Sequence, residues 1–247
     1  MSDLLQKRVS NKKGHFCLLN FSSSTECPVL IKKTNYPTIY QISVKSGVKA
    51  TVIFADVSRI KIEAIVDKDA EFNITTVISE TNQVELNSEV KLKGRGAMVN
   101  QNIIALSSNQ ENISINCILN HLAPQTYGRI ISRRVLAGSS QSTLYGMLKI
   151  APGAYSTDTY LSDKVILIGD KARAESVPSL EILTDEVKAS HGATIGKMSP
   201  DELFYLRSRG LSLSDAQTLL LRAFIQPVLT GVDSNIVEHL LKKLNKL

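Results

Sequence analysis

His191 sits in the run Ser190-His191-Gly192-Ala193-Thr194, among small residues that leave little bulk to hinder a metal or a partner. A neutral imidazole binds borderline metals and is readily pre-oriented for proton exchange. The plainer alternative, favoured by these residues alone, is a histidine bonded to backbone in a tight turn. Asp185, Glu186, Ser190 and His191 together have the side-chain types of a hydrolytic triad. A triad also needs a sharply presented nucleophile and an oxyanion hole, and no G-x-S-x-G run is present. Asp67, Asp69 and Glu71 alternate as an acidic cluster able to hold calcium or do acid–base work, but the intervening Lys68 favours a solvated corner. Gly94-Arg95-Gly96 lacks the Lys-Ser/Thr of a phosphate-binding loop and reads as a turn. His121, close to Pro124, reads as a structural corner. Lys242, Lys243 and Lys246 fall on the polar side of a final helix, a solvated face that also favours the helix C-terminus. No catalytic set emerges, and the residues describe a binding or assembly protein rather than an enzyme.

The elements that must position these residues come in two kinds. The chain has 247 residues, enough for one large domain or two small ones. Aromatic content is only 5% and Trp is absent, so the core is aliphatic and suits stacked β-branched strands. From about residue 38 to 183 apolar residues alternate with period two, as in Ile60/Ile62/Ala64, Phe72/Ile74/Thr76 and Ile113/Ile115. Short polar breaks such as Lys45-Ser46-Gly47 and Ser107-Ser108-Asn109 separate these runs. No long helical pattern lies between them, which argues against βαβ units. A sandwich, a barrel or a parallel β-helix remains. Asn-Gly and Asp-Gly hairpin dipeptides are missing from this region, which tilts the choice toward a solenoid.

After residue 198 the period becomes helical. Ser199-Pro200-Asp201-Glu202 is a helix start with a capping serine, proline at the first position and glutamate three residues on. Leu203, Phe204 and Leu206 give it an apolar face, and Gly210 is a stop. A second helix starts at Ser212, with Ala216, Leu219, Leu220, Ala223 and Phe224 as its inner face, and Pro227 ends or kinks it. A third is capped by Asp233 and carries Ile236, Val237, Leu240, Leu241 and Leu244 on one side. The expected organisation is a short segment 1–35, a core 36–195 and a helical domain 196–247.

The formal charge of +6 is concentrated at the start, where residues 1–33 hold six Lys or Arg against Asp3 and Glu26. No aromatics alternate with these cations as a base-stacking platform requires, so a solvated terminus is expected and nucleic acid is not. Cys17, Cys27 and Cys117 include no C-x-x-C pair, which disfavours a disulfide framework or a self-contained zinc or iron–sulfur site. No signal-peptide stretch or bilayer-length run is present. These features lead us to expect a reduced, intracellular protein without membrane contact.

Three motifs in order carry a family resemblance: Pro178-x-Leu180-Glu181-Ile182, then Asp185-Glu186-Val187-Lys188-Ala189-Ser190-His191-Gly192-Ala193-Thr194, then Leu203 through Gly210. His121, Pro124 and Thr126 add a weaker His-x-x-Pro-x-Thr match. The chain resembles the SufB/SufD family of iron–sulfur cluster assembly proteins, the SufD branch in particular, over roughly 120–230. The resemblance implies a mainly β fold, a right-handed parallel β-helix followed by a small helical domain. It implies a non-enzymatic scaffold working with a SufB-like partner, or with itself as a homodimer, and with a SufC-like ABC-type ATPase docked on the helices. Phe204, Tyr205, Arg207 and Arg209 are the expected partner-binding residues. His191 corresponds to the family histidine placed at the shared interface, and is the expected contributor to an iron or cluster site completed by another subunit. Ala189 stands where the family usually has Cys beside that histidine, and no interface thiol replaces it. No cluster is therefore expected to bind stably to this chain alone, only transiently at a subunit interface. The helical region that usually precedes the core in this family is largely missing here. The implied location is the cytoplasm, or an organelle matrix or stroma. The alternative, an extracellular carbohydrate-binding β-helix, rests on strand periodicity and the Asp67/Asp69/Glu71 cluster.

Overall fold

The computed structural model describes residues 5–11, 14–25, 27–32, 36–79 and 83–245, with backbone alone for 5–11 and 14. Of the basic residues noted above, Lys12, Lys13, Lys33 and Lys246 lie outside the described residues. In chain order the strands are β1 (Leu5–Asn11), β2 (Gly14–Phe21), β3 (Val29–Lys32), β4 (Thr38–Val44), β5 (Lys49–Ala55), β6 (Arg59–Val66), β7 (Glu71–Ile78) and β8 (Gln83–Leu92). They continue as β9 (Met98–Ser107), β10 (Asn112–His121), β11 (Tyr127–Ala137), β12 (Gln141–Ile150), β13 (Asp158–Ile168), β14 (Arg173–Ile182) and β15 (Lys188–Gly196). Three helices follow: α1 (Pro200–Ser208), α2 (Leu213–Ile225), with a 3₁₀ turn at Gln226–Val228, and α3 (Ser234–Leu244).

The even-numbered strands with β1 form an eight-stranded sheet in the order β1-β2-β4-β6-β8-β10-β12-β14, and the odd-numbered remainder form a seven-stranded sheet, β15-β13-β11-β9-β7-β5-β3. Every neighbouring pair is parallel except β1 with β2. Each coil lays one strand in each sheet, so the fold is the parallel β-helix, mainly β, that the resemblance implies. The sheets begin upstream of residue 36, because β2 and β3 lie within the 1–35 segment and pair in register with β4 and β5.

In-register stacking turns period-two patterning into inward columns. One is Val52–Ile74–Gln101–Ile130–Leu161–His191, and another is Ile42–Ala64–Val90–Leu119–Leu148–Leu180. These columns form a continuous aliphatic core. The corners stack as well. Gly47, Asp69, Gly96, Gln125 and Ser156 each have positive φ, and each donates its N–H to the corner carbonyl of the next coil, from Gly47 to Lys68 at 2.9 Å through Ser156 to Glu186 at 2.9 Å. Only Gly adopts such φ without cost, and Asp and Asn tolerate it better than most residues. The coils differ in length, so these corners recur at unequal spacing and leave no strict repeat in the sequence.

The helices fold back over the outer face of the odd-numbered sheet. Leu221, Ile225, Val228, Leu229, Ile236, Leu240 and Leu244 pack on Ile53, Ala55, Val77, Ile104, Leu106 and Val135. This covering explains runs such as Ile103-Ile104-Ala105-Leu106, buried residue after residue, because a sheet covered on both faces is apolar on both. Ser199 caps α1 by accepting from Glu202 N at 3.3 Å, and Gly210 stops it at φ +94°. α2 ends just before Pro227, as its ring requires. Its buried residues are Ala216, Leu221 and Ile225, whereas Leu219 and Ala223, expected inward, are exposed. α2 is apolar around most of its circumference, so spacing alone does not choose the buried stripe. Lys243 is also less solvated than its face suggested, lying 3.9 Å from Glu111 where both side chains are largely covered. No helix among the described residues is long and apolar enough to cross a membrane.

Candidate functional site

The two ends of the β-helix differ. At the N-terminal end the outermost strands are β1, which pairs antiparallel with β2, and the four-residue β3. At the C-terminal end β14 and β15 are the last strands of their sheets, ten and nine residues long, and no described strand pairs with their outer edges. Neither strand contributes a buried residue. Val177, Ile182, Leu183 and Ile195 stand exposed there. A long edge with apolar side chains and unpaired N–H and C=O groups is a template for adding another strand.

His191 lies on this end. Its column is an inward one, in register with Leu161 and Ile130, but no further coil stacks on it, so the imidazole is exposed at the open end of the lumen. It is therefore a strand residue at a free edge and not a turn residue. The Tyr160 hydroxyl lies against Gly192 at a distance that a Cβ would also tolerate, 3.5 Å from where it would stand. Asp185 and Glu186 lie in the corner before β15, with Glu186 at φ +56°.

α1 follows β15 within a few residues and packs against α2. It buries no residue: Phe204 is 75% exposed and Tyr205 56%. Arg207 and Arg209 are exposed too, with the Arg209 guanidinium 5.3 Å from the Tyr205 ring centroid. A helix that shows its aromatics and arginines to solvent has a surface suited to a partner.

The other candidates are elsewhere. Asp67 and Asp69 lie in the corner between β6 and β7, not on a strand, and Glu71 opens β7. Lys45 pairs with Asp67 at 3.6 Å, Lys49 with Glu71 at 3.0 Å and Lys68 with Asp69 at 3.8 Å. Gly94 is required by a close approach, since a Cβ there would stand 1.9 Å from the Lys68 backbone nitrogen. His121 ends β10 in the lumen, fully buried, with Nδ1 2.8 Å from Thr126 Oγ1, which also contacts Thr157 Oγ1 at 3.0 Å. Burial, then the nearby Arg129 cation, pushes its pKa down to about 4, so it is neutral. Cys117 is buried with its thiol accepting from Gln101 Nε2 at 3.6 Å, and burial, then the Asp163 carboxylate, pushes its pKa up to about 12. It has no thiolate to offer at neutral pH. Among the described residues no three His, Cys, Asp or Glu side chains gather to hold a metal ion.

The lumen also holds a buried ion pair that no sequence motif marks. Arg134 and Asp163 are both fully buried in the lumen and hydrogen-bonded to each other. Alternation carried the signal: Ile130, Ser132, Arg134 and Leu136 share the inward side of β11, so Arg134 is a cation at a core position.

Residues 55–224 match the family model described as "SUF system FeS cluster assembly, SufBD core domain". The chain belongs to the SufB/SufD family. Among SufB/SufD relatives, the chain is 27% identical to "Iron-sulfur cluster assembly protein SufD" of Escherichia coli (strain K12), over 65% of this chain and 38% of that protein. It is 33% identical to an iron-sulfur cluster assembly SufBD family protein of Pyrococcus horikoshii over 72% of this chain and 40% of that protein. A Synechocystis SufBD family protein is 32% identical over 51% of this chain and 26% of that protein. The matched region thus spans two fifths or less of these relatives' length. Within the SufB/SufD match lie the lumenal pair and the open edge with His191, as well as α1.

Proposed function

We propose that this chain is a non-enzymatic scaffold subunit of a Suf-type iron–sulfur cluster assembly complex, acting in the cytoplasm or an equivalent organelle compartment. A second β-helix of the SufB type adds to the free edges of β14 and β15, and a SufC-like ATPase docks on α1 through Phe204, Tyr205, Arg207 and Arg209. The observation that carries this reading is the C-terminal end, where two long outermost strands with no buried residue and exposed apolar side chains lead into a helix that keeps its aromatics in solvent. His191 then faces the junction and offers one imidazole to iron or a nascent cluster, which is cargo. One histidine is too few ligands for a cluster, and the buried, protonated Cys117 cannot add to them. The partner must bring thiolates or carboxylates, which favours a SufB-like subunit over a second copy of this chain.

Co-purification tests the reading. The full chain, mixed with a SufB-like protein and a SufC-like ATPase, is expected to elute as one complex by size exclusion with light scattering. Phe204→Ser is expected to release the ATPase, lowering its affinity at least tenfold without loss of thermal stability, since the Phe204 side chain is largely in solvent. Elution of the chain as a monomer in every mixture overturns the proposal, and a self-dimer indifferent to the SufB-like protein overturns the choice of partner.

A further inference from the structure

Arg134 is the largest of the fully buried side chains, and it lies lengthwise in the lumen. Its Nε donates to Asp163 Oδ1 at 3.1 Å and its Nη2 to Asp163 Oδ2. Nη1 donates to Ser142 Oγ at 2.7 Å, and Nη2 also donates to the backbone carbonyl of Glu175 at 3.0 Å. Arg134 starts on β11, whereas Asp163, Ser142 and Glu175 belong to β13, β12 and β14. A single guanidinium therefore ties the last three coils together from inside. Its final bond lands on main chain, so it constrains the course of the strand and not merely one side chain. That strand is the free edge of the even-numbered sheet and has no buried residue of its own to hold it.

We propose that Arg134 is a positioning residue for the partner interface. Oriented by Asp163, it sets where β14 runs, and so the register in which a second β-helix adds to that edge. The fork geometry suits the task, because five donors in one plane can satisfy a carboxylate and two further acceptors at once. An ammonium in the same place keeps the charge and the pairing with Asp163 but cannot reach all three partners. The inference rests on the reading of the open end as an interface.

Arg134→Lys in the full chain separates the two ideas. Amide hydrogen exchange by mass spectrometry is expected to show at least tenfold faster exchange in peptides covering 173–182, with β4–β10 unchanged. Association with the SufB-like protein is expected to weaken at least tenfold. Should Arg134→Lys fail to fold, the pair Arg134→Met with Asp163→Leu leaves no buried charge and is expected to give the same two results. Unchanged protection over 173–182 in the variant that folds overturns the proposal, as does faster exchange with undiminished association. The interface reading has its own arm: Val177→Lys on β14 is expected to abolish association, and its failure to do so removes that reading whatever Arg134 does.

Discussion

His121 and His191 place the same side chain at opposite extremes. His121 is closed in the lumen between Leu92 and Ile150 of its column, and Gly128 makes room for it, since a Cβ there would stand 2.9 Å from the ring. Its pKa falls from 6.5 to about 4, so the unfolded chain takes a proton in a range where the folded chain does not. That stability is fully present above pH 6.5 and is lost as the pH falls from 6.5 toward 4, up to about 3 kcal/mol at about 1.4 kcal/mol per unit. Urea unfolding between pH 7.5 and 4.5 is expected to show this slope, and His121→Gln to flatten it. His191 is exposed, so His191→Ala is expected to move the melting temperature by no more than a surface substitution does, within about 0.5 kcal/mol. The same variant is expected to reduce maturation of an iron–sulfur target enzyme by the reconstituted complex. Unchanged maturation removes His191 from the site. His191 is legible in the sequence through its neighbours, whereas His121 reads there only as a corner. Arg134 is not legible, because the cue is a lone cation in an inward position and becomes visible only once the strand phase is known.

At the scale of elements, the two sheets show why strands were legible and helix faces were not. β8 and β10 alternate buried and open residues along most of their length, since one face of their sheet meets solvent. β5, β7 and β9 lose the alternation where the helices cover them. The covering stripe of α2 runs through Leu221 and Ile225, not through Leu219. Ile225→Ala is expected to cost about 2–5 kcal/mol by opening a cavity between α2 and the sheet, and Leu219→Ala less than about 0.5 kcal/mol. Thermal melts of both variants check the contrast, and equal effects would refute this packing. α1 has no such stripe. Its cap and its Gly210 stop were readable because they act within a few residues, whereas its failure to pack on the body depends on groups far away in sequence.

For the whole molecule the decisive property is that the stacking stops. Each coil satisfies the backbone groups of the one before, so the last coil always leaves a row unpaired unless something caps it. At the N-terminal end that row belongs to β1 and the short β3, and at the C-terminal end to the long β14 and β15, whose outer edges no described strand covers. Ile195→Lys, placing a charge on the other free strand, is expected to keep the chain from assembling with the SufB-like protein while its melting temperature is unchanged, as checked by light scattering of the mixture and calorimetry. A variant that still assembles would move the interface elsewhere.

The sequence by itself determined the strand-rich body, the helical end, the helix caps and, through three ordered motifs, the family. All of these follow from short-range spacing or from residue strings. Only the tertiary structure decided that His191 ends an inward column at an open edge, that α1 leaves its aromatics in solvent, and that Arg134 reaches across three coils to hold that edge. Those facts come from register between strands about thirty residues apart and from unequal corner spacing, which no local pattern encodes.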